Sequence, residues 1–172
     1  NLEGSDLSNF PLEVAYGSKL TLKNMAYGGG LLHSHIQTYP EGSHDHQVTC
    51  YHHKDENNHF IISPTYEDPP LPAADENIDE PPRMLKSGDV LRLVHQQLQT
   101  NLRSEAIPAP ITKEAHEVGC RASEKGADSS EYWIVEVLRD VHLGPGRPGM
   151  PIRTLSSTLR LRHKELGCYL RS

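Results

Sequence analysis

The feature that most narrows the possible folds is an internal repeat of about seventy residues. Leu32, in Leu31-Leu32-His33-Ser34-His35, recurs as Leu102 in Asn101-Leu102-Arg103-Ser104-Glu105. It recurs again as Leu170 in Tyr169-Leu170-Arg171-Ser172, at steps of 70 and 68 residues. Val48-Thr49-Cys50 returns after 70 residues as Val118-Gly119-Cys120, and Phe60-Ile61-Ile62 after 73 as Trp133-Ile134-Val135. An alternating apolar run precedes each repeated leucine: Leu20-Thr21-Leu22, Leu91-Arg92-Leu93 and Leu159-Arg160-Leu161.

Alternation with a period of two predicts strands, because successive side chains then point to opposite faces. The segment 90–98 also fits a helix on its own, with apolar residues at 90, 91, 94 and 98. Its strand-like counterparts near 20 and 159 decide for a strand. Each unit opens with a hairpin, then has a loop, a Val-x-Cys strand and an apolar fourth strand. Tyr27-Gly28-Gly29-Gly30 supplies the positive φ that a tight first hairpin needs. The expected class is all-β. Repeat one spans about 14–66, an acidic proline-rich loop 67–85, repeat two about 86–137 and a connector 138–152. Repeat three begins at 153 and reaches only the start of its second strand by Ser172. The expectation is therefore a truncated third repeat, with open strand edges and a gap in the core.

Composition supports turns over helices: 13 Pro and 13 Gly accompany a hydrophobic content of only 35%. The net charge of −6 is localised, since Glu67 to Pro82 holds six acids and no Lys or Arg. That loop is expected to be exposed and poorly ordered. The basic cluster Arg153, Arg160, Arg162, Lys164 and Arg171 is too small to make a nucleic-acid face, and Arg160 and Arg162 read as the wet side of a strand. No apolar run approaches the ~18 residues of a membrane span. Cys50, Cys120 and Cys168 are odd in number and are expected to be buried free thiols.

The first repeat carries a specific pattern: Gly30 to His35, Thr38-Tyr39-Pro40-Glu41-Gly42-Ser43, Gln47 to Tyr51, and Lys54-Asp55-Glu56-Asn57-Asn58. It resembles the first MIR repeat of protein O-mannosyltransferases, and is most similar to their second subtype. Gly88 to His95 resembles the second repeat and Leu155 to Ser172 the opening of the third. The resemblance implies a β-trefoil of three repeats and a lumenal loop domain, in the endoplasmic reticulum, of a multi-span membrane enzyme. That enzyme transfers mannose from dolichyl phosphate mannose to Ser or Thr hydroxyls, as a heterodimer of different subtypes. Its catalytic acids belong to another loop, so no catalytic residue and no cofactor are expected here. MIR units also occur in calcium-release channels and small lumenal proteins, so the module alone does not identify its parent.

The implied role is binding of a mannosylated glycan or a Ser/Thr-rich acceptor polypeptide. The candidate contacts are His33, Ser34, His35, Tyr39 and Gln47 in the first unit, Arg103, Ser104 and Glu105 in the second, and Arg171 in the third. His33 and His35 share one strand face, opposite Leu32 and Ser34. If Leu32 is core, the two imidazoles face outward or into a crevice, where their donors and acceptors suit a sugar or a peptide backbone. The same motif equally reads as a structural device that closes each hairpin, and the module then braces the parent or contacts its partner subunit. Seven histidines fall between His33 and His59, yet no acid or thiol completes a zinc spacing, so no metal site is expected. Asp55 reads as a turn cap, and Trp133, aligned with Phe60, as core.

Overall fold

The structure is a computed structural model that describes residues 12–26, 28–73, 80–123 and 129–171. The first unit contains β1 (Lys19–Leu20), β2 (Leu31–Thr38), β3 (His46–Tyr51) and β4 (Phe60–Ser63). The second contains β5 (Val90–His95), β6 (Thr100–Pro108), β7 (His116–Arg121) and β8 (Trp133–Asp140). A short β9 (Gly144–Pro145) precedes β10 (Ser157–His163), the first strand of the third unit. Only two one-turn 3₁₀ helices, Glu56–Asn58 and Ser129–Glu131, interrupt the strands among the described residues. Asp55 caps the first of these, its Oδ1 accepting from the Asn57 N–H at 2.8 Å, as expected.

First and fourth strands curl into an antiparallel half-barrel in which β4 lies between β1 and β5, and β8 between β5 and β10. Second and third strands form hairpins above it. Their registers are copies: Leu32 faces Cys50 and Ser34 faces Val48 on β2–β3, while Leu102 faces Cys120 and Ser104 faces Val118 on β6–β7. Both hairpins break register at the same place, before Thr38 and before Pro108. The two hairpins join where His46 and Gln47 of β3 pair with Cys120 and Gly119 of β7. This is the expected trefoil plan, with the third unit represented by its opening strands.

Beneath the half-barrel the chain closes a ring. Ala15 bridges Met84, Lys86 bridges Pro151, and Arg153 bridges Glu13. Each bridge links one unit to the next, and the last returns to the first. Val14, Leu85 and Ile152 occupy matching places inside the ring and are 2–4% exposed. The turn that follows each of them needs a left-handed residue: Gly17, Gly88 and Leu155, with φ of 92°, 99° and 65°. The core above joins Phe60, Leu91, Leu93, Leu102, Trp133 and Leu161 in one cluster. Each such side chain withdrawn from water contributes roughly 1.5–3 kcal/mol.

Two buried histidines close the hairpin turns, a repetition the expectations above do not contain. His95 and His163 are 0% and 1% exposed. Nε2 of each donates to a carbonyl, Asn57 O at 2.8 Å and Ser130 O at 2.7 Å. Nδ1 of each accepts a backbone N–H, from Leu98 and from Leu166. The rings stand edge-on to Phe60 and Trp133, at 5.2 and 4.9 Å. With both nitrogens committed, the neutral tautomer is fixed, and burial lowers both pKa values. Asn24 holds the same place in the first unit, where its Oδ1 accepts from the Ala26 N–H.

Some expectations need correction. Only Cys120 is a buried thiol; Cys50 and Cys168 are exposed. Cys120 is covered because β3 pairs across it, and among the described residues no third strand does this for Cys50. The first strand is shorter than Leu20-Thr21-Leu22, ending at Leu20 before an isolated bridge from Lys23 to Leu31. Within the segment 138–152, expected as a connector, β8 runs on to Asp140 and pairs with β9. The part of the acidic loop at 74–79 lies outside the described residues.

Two outcomes follow. Leu155→Gly is expected to raise the unfolding midpoint in denaturant. A left-handed non-glycine costs roughly 1–2 kcal/mol and glycine's extra chain entropy about 0.5–1, leaving a net gain near ~0.5–1 kcal/mol. Because the folded state depresses the pKa of His95 and His163, their stabilisation is complete above the unfolded value of about 6.5. It is lost as pH falls through the lowered folded values. Each imidazole adds a slope of up to about 1.4 kcal/mol per pH unit in that window. The variant His95→Asn/His163→Asn should show a measurably flatter fall of unfolding free energy with acid.

Candidate functional site

The outer face of the first hairpin carries a strip of rings. His33 and His35 come from β2, Tyr51 from the end of β3 and His53 from the loop that follows. The His33 and Tyr51 centroids are 4.5 Å apart, His33 and His35 5.6 Å, and Tyr51 and His53 5.3 Å. Alternation along β2 and β3 puts these side chains on the side opposite Leu32 and Ser34, as the sequence implies. The strip is not uniformly exposed, and here His33 departs from the outward-facing expectation. It is 6% exposed, because Nδ1 is drawn onto Asn58 Oδ1 at 2.7 Å. Asn58 is itself held by its Nδ2, which donates to the His53 carbonyl at 2.9 Å. Tyr51 and His53 remain exposed and His35 half-buried. Burial, then the neighbouring His33 and His46, lowers the pKa of His35.

The second hairpin presents a different surface at the same positions. Seventy residues on, His33, His35, Tyr51 and His53 become Arg103, Glu105, Arg121 and Ser123. Arg103 is 3% exposed and fully engaged. Nη1 donates to Asp45 Oδ2 at 2.8 Å, Nε and Nη2 reach Ser130 Oγ, and Nη2 also meets Glu105. Arg121 Nε donates to the other Asp45 oxygen at 2.6 Å. Burial works against the Arg103 charge, but the Asp45 and Glu105 carboxylates outweigh it and raise its pKa. Asp45 belongs to the first unit, so a carboxylate from one repeat sits on the arginine face of the next. Gly119 makes room for it: a Cβ there would lie 2.6 Å from that of Asp45. This explains why Val-Thr-Cys becomes Val-Gly-Cys.

The remaining candidate residues divide clearly. Ser34 and Ser104 are buried and donate to equivalent carbonyls across their hairpins, Gln47 O at 2.9 Å and Glu117 O at 2.8 Å. Tyr39 is half-buried; its hydroxyl donates to Val118 O at 2.9 Å and accepts from the Val48 N–H at 3.3 Å. It thus ties the two hairpins together, and burial raises its pKa. Gln47 donates to Thr38 O at 3.0 Å. Arg171 is exposed at the third-unit position equivalent to His33 and Arg103. Among the described residues, no three His, Cys, Asp or Glu side chains gather as metal ligands. The residues that sequence reasoning missed are Tyr51, His53, Asn58 and Asp45. The first two could have been found by carrying the strand alternation past Cys50; the last two need the fold, since their partners are 25 and 58 residues away.

A family model described as MIR domain matches residues 30–172. Dolichyl-phosphate-mannose–protein mannosyltransferase 2 of Candida albicans is 38% identical over 171 residues, covering 99% of this chain and 22% of that protein. Protein O-mannosyl-transferase 2 of Danio rerio is 37% identical, covering 98% of the chain and 21% of that protein. The chain thus spans about a fifth of the length of these curated relatives. Among solved structures, the Saccharomyces cerevisiae protein O-mannosyltransferase Pmt1-Pmt2 complex bound to the sugar donor matches with a TM-score of 0.73 and 30% identity. The match covers 92% of this chain and 20% of that one. The SDF2-like protein from Arabidopsis thaliana shares the fold, with a TM-score of 0.70 and 24% identity over 94% of this chain and 78% of that one.

Asp45→Ala is expected to destabilise the protein by about 3–5 kcal/mol, because it strands a buried guanidinium. Chemical denaturation reads this directly. Glu105→Ala, at the exposed end of the same network, should cost much less.

Proposed function

The chain belongs to the MIR domain family, and on that premise we propose that it is a non-catalytic module of a protein O-mannosyltransferase that binds mannosylated glycan or acceptor polypeptide. The parent enzyme transfers mannose from dolichyl phosphate mannose to Ser or Thr. It works in the endoplasmic reticulum membrane beside a partner subunit of another subtype, and the module projects into the lumen. The similarity to mannosyltransferases over nearly the whole chain supports that setting.

The observation that carries the binding role is the contrast between the two hairpins. Equivalent faces have the same backbone, yet the second is closed by its own ion pairs while the first leaves Tyr51 and His53 exposed beside two imidazoles. Aromatic faces beside imidazole hydrogen-bonding groups suit a ligand with both apolar and hydroxylated sides. Affinity is weak, because each polar group exchanges a water bond for a protein bond at little net gain. Attachment to the parent compensates through effective concentration.

A second reading, a contact surface for the parent or its partner, rests on a separate patch. Leu12, Val141 and Leu155 are 63%, 71% and 72% exposed and lie together, since Leu12 pairs with Thr154 and Val141 with Ser156. Exposed apolar side chains on neighbouring segments of this kind suit an interaction site.

Methyl α-mannopyranoside is expected to shift the amide signals of Tyr51, His53 and His35. Tyr51→Ala should weaken it about tenfold, equivalent to ~1.4 kcal/mol, without altering the circular dichroism. If the sugar moves none of these signals while Leu155→Asp uncouples the assembled enzyme, the contact reading replaces the binding one.

A further inference from the structure

At the base of the molecule, away from the first hairpin, one repeat keeps a strained leucine where its sisters use glycine. The turns after Val14 and Leu85 are made by Gly17 and Gly88, while the turn after Ile152 is made by Leu155 with φ of 65°. Leu155 is 72% exposed, so its side chain returns no core packing for that strain. A strained residue held without benefit to the fold points to function. The end of β8 beside it is also particular to this repeat. The fourth strand of the first unit has 4 residues, whereas β8 has 8 and turns back through β9. This extension and its turn present Leu138, Val141 and Leu143 at 47%, 71% and 37% exposure. Val141 N–H donates to Ser156 O at 3.0 Å and Thr154 N–H to Leu12 O at 2.8 Å, which sets Val141, Leu155 and Leu12 side by side. Next to them is a shallow groove of about 410 Å³, lined by residues 138–141 with Gly144 and Pro145.

Polar contacts hold this face in shape. Asp140 is 3% exposed and accepts from the Ser156 and Ser157 hydroxyls at 2.7 and 2.8 Å. It also accepts from the backbone N–H groups of His142 and Leu143 at 2.8 and 3.0 Å. The extension is thereby tied to the Leu155 turn. No other acid occurs between residues 138 and 155. Arg139 and Arg147 are exposed, and neither side chain has a partner among the described residues. An apolar centre with unpaired cations at its rim complements an apolar polypeptide surface edged by carboxylates. A lipid surface fits less well, because the patch holds leucine and valine but no aromatic side chain, and the net charge of −6 opposes anionic headgroups. Resting on the contact reading of Leu12, Val141 and Leu155 given above, we propose that this base face docks a carboxylate-edged apolar polypeptide segment of the assembled enzyme, with Val141 and Leu155 at the centre and Arg139 and Arg147 pairing with its acids. The segment lies outside this module, and the ion pairs set the module's orientation on it.

The test uses the assembled enzyme with the full parent chain. The photocrosslinker p-benzoylphenylalanine replaces Val141 in one variant and Leu155 in another, and irradiation is followed by peptide mapping. Each position is expected to link to a polypeptide segment outside residues 1–172 that carries Asp or Glu among apolar residues. The added change Arg139→Glu/Arg147→Glu should lower the yield about three- to tenfold, the loss expected for two exposed ion pairs. Replacing the mapped acids with Lys in that background should restore it. Adducts confined to lipid, or to a second copy of the module, overturn the inference. So does a polypeptide adduct whose yield ignores the charge reversal, an outcome that leaves the contact reading standing. No polypeptide adduct from either position removes the contact reading as well. The response of Tyr51 to the mannoside is read separately, so none of these outcomes decides the binding role.

Discussion

The structure depends on the ring of bridges at its base. Three short segments, each the entry to a repeat, pair head to tail: 15 with 84, 86 with 151, 153 with 13. A cyclic arrangement of this kind has no free end, so moving one segment disturbs both neighbours. It brings Val14, Leu85 and Ile152 inward together and sets the angle at which each first strand enters the half-barrel. Above the ring, β4 pairs with β1 and β5, and β8 with β5 and β10. A single residue at each entry, Gly17, Gly88 or Leu155, must adopt positive φ for the ring to close. Leucine at the third position shows that closure is stable enough to hold a strained residue.

Polar side chains give the repeats their separate identities. The backbone of the two hairpins is copied down to the register break, while the contents of the outer face are not. His33 reaches the 3₁₀ turn of its own unit through Asn58, and Arg103 reaches its own through Ser130. The position after the repeated leucine is therefore a latch between hairpin and fourth strand in both units. What differs is charge. An arginine latch demands a buried carboxylate, which Asp45 brings from the neighbouring repeat, and this demand fills the surface around it. A histidine latch needs one acceptor, here Asn58 Oδ1. Histidine or arginine at this one position thus decides whether the face around it is filled by ion pairs or left with exposed rings.

Sequence reasoning reached the strands because alternation and a constant step are local or cumulative signals. Leu32 with Leu102, and Phe60 with Trp133, sit in equivalent core places as the repeat implies. It reached the candidate face only in part. His33 and His35 were visible as a pair, but the bond that turns His33 inward comes from Asn58, a residue that in sequence reads simply as part of a turn. Ser34 and Ser104 looked like ligand contacts, and their hydroxyls are instead spent on the facing strand. His95 and His163 share the 68-residue step with their neighbours, yet nothing in composition separates a buried latch histidine from a surface one. Asp45 was the least legible, since its role exists only once two repeats are docked.

The division of labour also bears on how such a face can be precise without being tight. A hydrogen-bonding surface made of flexible side chains must order them on binding, at a cost of roughly 0.5–1.5 kcal/mol for each. Here the costs are met during folding. His33 is held by Asn58 and stacked on Tyr51, and His35 is fixed by the Gln37 amide two residues along its own strand. Both rings are therefore held in place by the fold itself. The rings of the first hairpin are thus ordered by contacts within their own unit, and the arginines of the second by a carboxylate from its neighbour.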